Sequence, residues 1–205
     1  MMRKNGITVM IAAAAMAALT IFGATGLTAH AANVGDIIDK EYVKYEITKL
    51  PSDGKDGRCK VVGCDNSLQS AIIYRNIGYE DANYVCNEME PGAFQGKKNL
   101  TYVKLNELSA ITTIPKNAFA DCKNLKTVEI LTDDLDKIEK KAFLRCTKLS
   151  TLILAGDDVT IKKKSFKKVD ELTVYCPKDS IEIYEYMIEM VGGADDVTAL
   201  NIKNR

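Results

Sequence analysis

The most regular feature of the chain is an order of apolar and polar positions that occurs four times between residues 89 and 177. Each copy is built around a phenylalanine, with an apolar residue five positions before it and a leucine six positions after it. The phenylalanines are separated by 25, 24 and 23 residues, and they are Phe94, Phe119, Phe143 and Phe166. Two further apolar residues then alternate with polar ones, as at Val128 and Ile130, which predicts a short strand with one buried face.

The spacing of these copies predicts a solenoid. Periods of about 20–29 residues with an L-x-x-L-x-L kernel are typical of leucine-rich repeats. Because one coil cannot bury its own apolar face, the coils must stack and the ends of the stack need caps. We therefore expect an α/β leucine-rich-repeat solenoid, dominated by short stacked parallel strands, with an N-terminal β cap and a C-terminal helical cap.

The order I-x4-A-F-x2-C-x2-L-x2-V-x-I resembles the BspA-like leucine-rich repeats of bacterial surface and secreted proteins. The resemblance covers residues 86–178 and is best at 114–130 and 138–154. The fourth copy departs from it, with Ser165 in place of Ala and Val169 in place of Cys. The resemblance implies non-enzymatic protein binding, with adhesion to host extracellular matrix or to other cells.

The segment before the repeats, residues 32–85, predicts an N-terminal cap. Residues 42–47 and 59–62 are apolar or alternating runs, and the glycine-rich turn at 53–57 between them indicates a β-hairpin. A further short strand is predicted at 71–74. Together these strands are expected to form a β cap, or a degenerate first coil.

The segment after the repeats, residues 179–205, predicts a helix and a closing strand. Asp179 or Ser180 can cap a helix over 179–191, and a strand is expected over 196–202. The apolar residues at helical spacing are expected to cover the last coil, and they are Ile181, Tyr184, Ile188 and Val191.

Residues 1–31 have the features of a secretory signal peptide. A cationic head is followed by residues 7–22 without a charge, and Ala29 and Ala31 form an A-x-A cleavage site. The alternative is an uncleaved anchor, since the apolar run approaches the roughly 20 residues that span a bilayer. We expect cleavage after Ala31, and hence a secreted, extracellular protein, either free or associated with the cell surface, without membrane contact.

Charge and composition narrow the possible functions. The chain has 28 Lys and Arg against 28 Asp and Glu, whereas a nucleic-acid binder needs a basic excess on one face. His30 is the one histidine and lies in the predicted signal peptide, which leaves no imidazole for Ser-His-Asp or Cys-His catalysis or for a His-ligated metal. We therefore expect a monomer that is not an enzyme and has no cofactor, metal site or nucleic-acid partner.

The six cysteines allow two interpretations in an exported chain. Cys122 and Cys146 occupy the same repeat column and Cys86 matches an apolar column, so buried free thiols are the favoured interpretation for these three. Cys59 and Cys64 fit no repeat column, which makes them the best candidates for a disulfide.

The outward residues of the predicted strands form the first candidate site. Solenoids use such extended faces for binding, and aromatic residues dominate protein contacts. The candidates are Tyr102, Lys104, Lys126, Glu129, Thr151, Ile153 and Tyr175, together with Thr127 and Thr173. The alternative is an ordinary solvated sheet face. The predicted partner is a host or bacterial extracellular protein.

A lysine cluster in the fourth copy forms a second candidate site. Its members are Lys162, Lys163, Lys164, Lys167 and Lys168. Such a cluster can bind an acidic glycan, which would make the chain a carbohydrate-binding accessory module, although a solvated edge has the same composition. A third possibility is that the chain is a structural partner of another exported protein.

Overall fold

The chain folds as a stack of coils that share two parallel sheets. The computed structural model describes residues 31–188 and 197–204. In chain order the elements are β1 (Ile37–Lys40), β2 (Val43–Lys49), β3 (Gly57–Cys64), β4 (Ser70–Ile73), β5 (Asn76–Tyr79), β6 (Ala82–Met89), β7 (Tyr102–Leu105), β8 (Thr113–Ile114), β9 (Thr127–Ile130), β10 (Lys137–Ile138), β11 (Thr151–Leu154), β12 (Thr160–Ile161), β13 (Val169–Cys176), α1 (Ile181–Tyr186) and β14 (Val197–Asn204). The predicted signal peptide, except its last residue, lies outside the described residues.

The larger sheet has six parallel strands in the order β14-β13-β11-β9-β7-β4. Every second residue of β7, β9 and β11 is buried, because side chains of a strand alternate between its two faces. One buried column crosses four strands and consists of Val103, Val128, Leu152 and Val174. This is the alternation that the repeat pattern predicts.

The phenylalanines form a continuous stack inside the solenoid. Ring centroids are 5.1 Å apart between Phe94 and Phe119, and 5.2 Å apart between Phe119 and Phe143 and between Phe143 and Phe166. All four rings are buried. The apolar residues five positions before the last three rings lie in the smaller sheet, β12-β10-β8, which pairs in parallel. The alignment of the four copies is thus confirmed.

Each coil turns through left-handed backbone conformations on both sides of its phenylalanine. The residues two positions before and two positions after each ring have φ between 58° and 74°. From the first coil to the fourth they are Gly92 and Gly96, Asn117 and Asp121, Lys141 and Arg145, and Lys164 and Lys168. Glycine adopts this conformation without steric cost and Asn or Asp at low cost, whereas longer side chains are disfavoured there.

The N-terminal cap is a five-stranded sheet in the order β1-β2-β3-β6-β5. β2 and β3 form the predicted antiparallel hairpin, and β4 pairs with β7 as the first strand of the solenoid sheet. Tyr45 and Tyr84 are fully buried in the cap core. Cys86 is buried as expected, but it lies in β6 of this sheet, opposite Cys59 in β3, instead of in a repeat column.

The helix of the C-terminal cap begins later than the sequence predicts. Residues 178–180, which follow Pro177, form a 3-10 turn, and α1 begins only at Ile181. Tyr184 and Ile188 are buried as predicted, while Val191 lies outside the described residues. The predicted closing strand is present as β14, which pairs in parallel with β13.

The Tyr184 hydroxyl fastens this helix to the solenoid. It donates a hydrogen bond to the Gly156 carbonyl at 2.7 Å and accepts one from the Val159 N–H at 3.3 Å. Both partners lie between β11 and β12, so the helix is attached to the loop of the third coil.

Candidate functional site

The outward side chains of the larger sheet form two columns, which together we call the strand face. One column contains Ser70, Tyr102, Thr127, Thr151 and Thr173. The other contains Ile72, Lys104, Glu129, Ile153 and Tyr175. All are half-buried except Ser70, which is exposed. The register therefore brings eight of the nine candidate residues for this face together, all except Lys126.

A polar network occupies the β7–β9 part of the strand face. The Lys104 ammonium lies 4.0 Å from the Glu129 carboxylate. Partial burial, followed by a hydrogen bond to Glu129, raises the pKa of Tyr102 to about 12. The phenol therefore stays protonated at neutral pH, next to the Lys104–Glu129 pair.

An apolar patch lies beside this network. Ile153 in β11 and Tyr175 in β13 are direct cross-strand partners. The Lys203 ammonium of β14 lies 5.9 Å from the centre of the Tyr175 ring, within the range of a cation–π contact. Ile72 and Lys203 belong to this face but were missed by sequence reasoning, because β4 and β14 lie outside the regular copies. In the sequence, Ile72 and Lys203 are indicated by the alternation of inward and outward positions along their own strands.

Lys126 is the predicted site residue that the structure places apart from these columns. It is exposed and lies immediately before β9, where its N–H donates to the Thr101 carbonyl at 2.8 Å. The register of β9 gives the outward positions to Thr127 and Glu129. Lys126 therefore borders the strand face at the turn into the strand.

The lysine cluster lies on the turn around Phe166, between β12 and β13. Lys163, Lys164 and Lys168 are exposed, and Lys162 and Lys167 are half-buried. Since these residues precede β13, they are not part of the strand face. The structure thus contains two separate candidate surfaces, one mixed polar and apolar, the other basic.

Cys59 and Cys64, the candidates for a disulfide, are not bridged. Both residues lie in β3, and five residues of extended strand span about 16 Å, whereas bridged α-carbons lie within about 7 Å. All six cysteines are free and buried. The Cys122 and Cys146 thiols donate to the carbonyl oxygens of Phe94 at 2.9 Å and Phe119 at 3.0 Å, so these two thiols link successive coils.

The geometry contains no donor set for a metal within the part of the chain that the structure describes. There, no group of three or more His, Cys, Asp or Glu side chains is placed to hold a metal ion. None of the helices in residues 31–188 is long and apolar enough to span a membrane.

The repeats match a known family. The sequence profile described as "BspA type Leucine rich repeat region" matches residues 83–194 in six copies, which is more than half of the chain. The chain belongs to the BspA-type leucine-rich-repeat family. No curated protein matches it.

Solved structures similar to this BspA-type chain are leucine-rich-repeat proteins. A leucine-rich repeat protein from Bacteroides ovatus is 24% identical with a TM-score of 0.57, over 68% of this chain and 35% of that chain. A leucine rich cell surface protein from Faecalibacterium prausnitzii is 20% identical with a TM-score of 0.55, over 82% and 42%. The pneumococcal vaccine antigen PcpA is 16% identical with a TM-score of 0.55, over 84% and 50%.

These likenesses establish the solenoid fold of the BspA-type chain. The chain spans about a third to a half of the length of these three proteins. Leucine-rich-repeat families of this kind typically serve as non-enzymatic interaction modules, and two of the three proteins are described as a cell surface protein and a vaccine antigen.

Proposed function

We propose that the chain is an extracellular, non-enzymatic module that binds a protein partner at a bacterial cell surface through the strand face. The observation that carries this proposal is the direct pairing of Ile153 with Tyr175, beside the ordered network of Tyr102, Lys104 and Glu129. Protein interfaces combine an apolar, aromatic centre with polar surroundings, and this face has both components.

The experiment that tests the proposal measures binding of the chain to a panel of extracellular matrix proteins and mucins at physiological salt. The double variant Ile153→Ala/Tyr175→Ala removes the apolar patch and leaves Tyr102, Lys104 and Glu129 themselves unchanged. Because aromatic anchors dominate interface energetics, we expect the dissociation constant to rise at least about thirtyfold.

The matched control removes an aliphatic side chain and a tyrosine elsewhere. Leu108→Ala/Tyr42→Ala truncates residues that are 71% and 62% exposed and lie outside the strand face. This control variant is expected to bind as the unmodified chain does. If the two variants lose the same binding affinity, the interface does not lie on the strand face. Absence of binding across the panel would contradict adhesion to matrix and favour a structural complex with another exported protein, isolated as a stable hetero-complex.

The non-enzymatic part of the proposal has its own test. Glycoside hydrolysis needs two carboxyl groups facing each other in a cleft. Glu129 lies on the open strand face beside Lys104, and Glu171 is exposed two strands away in β13, so these two carboxylates do not face each other across a cleft. Reproducible turnover of glycan or peptide substrates by the purified chain would contradict the proposal.

A further inference from the structure

The basic surface of the fourth coil extends onto the third coil. Lys140 and Lys141 are exposed on the turn around Phe143, which lies beside the turn around Phe166. We call the combined surface the lysine face, and it consists of Lys140, Lys141, Lys162, Lys163, Lys164, Lys167 and Lys168. Within the described residues none of these seven ammonium groups lies within 4.0 Å of a carboxylate.

Two acidic residues near the lysine face pair with other cations. Glu139 is 3.7 Å from Lys137, and Asp121 forms a two-point contact with Arg145, whose Nη2 is 2.6 Å from Oδ2. Asp170 and Glu171 follow within β13. The seven lysines therefore form a local concentration of positive charge in a chain whose formal net charge is zero.

Hydrogen bonds between the two turns hold this charge in place. The Lys141 N–H donates to the Lys164 carbonyl at 3.2 Å, and the Phe143 N–H donates to the Ser165 carbonyl at 2.8 Å. The Arg145 N–H donates to the Lys167 carbonyl at 2.8 Å. Lysines of neighbouring coils are thus direct neighbours on a fixed backbone, although adjacent like charges repel.

Three of these lysines have a left-handed backbone, as does Arg145 of the third coil. Lys141, Lys164 and Lys168 each have φ of 62°, in positions that the first two coils fill with glycine, Asn or Asp. Left-handed backbone is unfavourable for long side chains, so lysine is not the residue that the geometry of these turns favours. The lysines of the two stacked turns carry charges of the same sign, which repel one another, and a bound polyanion would offset this repulsion.

We propose that the lysine face binds a linear acidic polysaccharide whose charge is carried by carboxylate or sulfate groups, lying across the turns of the third and fourth coils. This ligand site is separate from the strand face and goes beyond the proposed protein binding. Lysine ammonium groups suit such a ligand because they act as point charges without a fixed fork geometry. Single-stranded nucleic acids are bound on stacking aromatic rings, and the rings of these turns, Phe143 and Phe166, are buried.

The test uses the full chain with two probes, heparin, which carries sulfate and carboxylate groups, and polygalacturonate, which carries carboxylates alone. The triple variant Lys141→Asn/Lys164→Asn/Lys168→Gly inserts the residue types that the first two coils use at these positions. Because these residues relieve strain, the variant should unfold at the same temperature as the unmodified chain or higher. Its affinity for at least one probe should fall about tenfold or more, and the salt dependence of binding should weaken.

The matched control removes the same net charge from exposed lysines outside the lysine face. Lys49→Gln/Lys55→Gln/Lys178→Gln is expected to retain the unmodified affinity. The proposal is overturned if neither probe binds at low salt, if the triple variant binds as the unmodified chain does, or if the control loses as much affinity. Duplex DNA that binds as tightly as heparin, with the same dependence on the triple variant, would overturn the assignment to polysaccharides.

Discussion

At the residue scale, the fold is set by two left-handed positions in every coil and by what occupies them. Gly92 and Gly96 occupy them in the first coil, and Asn117 and Asp121 in the second. The third coil has Lys141 and Arg145 at the same places, with φ of 62° and 58°. Identical backbone geometry is thus reached with residues of very different intrinsic preference, so the conformation is imposed by stacking on neighbouring coils.

Replacing Lys141 with glycine tests this interpretation. Because Lys141 already has a positive φ, Lys141→Gly should leave the free energy of unfolding unchanged or raise it by up to about 1 kcal/mol. The neighbouring Lys140→Gly is the control, since Lys140 has no positive φ, and it should lower that free energy by about 0.5–1 kcal/mol. Urea unfolding followed by circular dichroism measures both. Equal destabilisation by the two variants would contradict the strain argument.

At the element scale, the phenylalanine stack joins the coils. Phe119 has a ring neighbour on each side, at 5.1 Å and 5.2 Å, whereas Phe166, at the end of the stack, has Phe143 as its single partner among the described rings. Both side chains are almost fully buried, so removing either ring loses a similar apolar area. The number of ring contacts is therefore what distinguishes the two sites.

Phe119→Leu should consequently destabilise the chain more than Phe166→Leu does. Each ring pair contributes about 0.5–1.5 kcal/mol beyond the burial of area, so the two variants should differ by roughly that amount. Denaturant unfolding of both variants, compared with the unmodified chain, gives the difference directly. If Phe166→Leu lowers the free energy of unfolding more than Phe119→Leu does, contacts of the fourth coil with the C-terminal cap contribute more to stability than the second ring contact.

The elements also show which parts of the fold the sequence predicts and which it does not. The strands of the repeats and the ring stack were predictable, because several columns agree across four copies. β1 and β5 were not, because the cap has no second copy against which a column can be recognised. The glycine, Asn and Asp residues on either side of Phe94 and Phe119 did carry the signal for left-handed turns.

The two candidate sites differ in how far the sequence predicts them, because one depends on single strands and the other on the stacking of neighbouring coils. Eight strand-face residues follow from alternation within single strands, so the sequence suffices for them. Lys140 and Lys141 join the lysine cluster only once the turns around Phe143 and Phe166 stack, which places residues 23 positions apart side by side, as the Lys141–Lys164 hydrogen bond shows. The sequence left the Cys59–Cys64 bridge open, and the structure excludes it because both residues lie along one extended strand.

At the scale of the whole molecule, buried thiol and phenol groups make the free energy of unfolding depend on pH. Burial raises the pKa of Cys64 to about 11, of Cys122 to about 12 and of Tyr184 to about 12. These groups lie near the cap, in the second coil and in the C-terminal helix, so they report on the entire stack. Each must be neutral in the folded state, whereas the unfolded chain releases thiol protons near pH 9 and phenol protons near pH 10.

The contribution of these groups to the free energy of unfolding should therefore be constant from neutral pH to about pH 9 and fall as the pH rises towards 12. In that window the unfolded chain has lost protons that the folded chain retains, so raising the pH favours unfolding, by about 1.4 kcal/mol per pH unit for each such group. Cys122→Val should remove one of these contributions, and it should be tolerated at pH 7 because Val169 fills the same column in the fourth coil. Urea unfolding at pH 7, 9, 10 and 11 gives the slope of the free energy of unfolding against pH, for the unmodified chain and for the Cys122→Val variant. Identical slopes would show that the Cys122 thiol titrates without unfolding, and hence that the stack opens locally at the second coil before it unfolds as a whole.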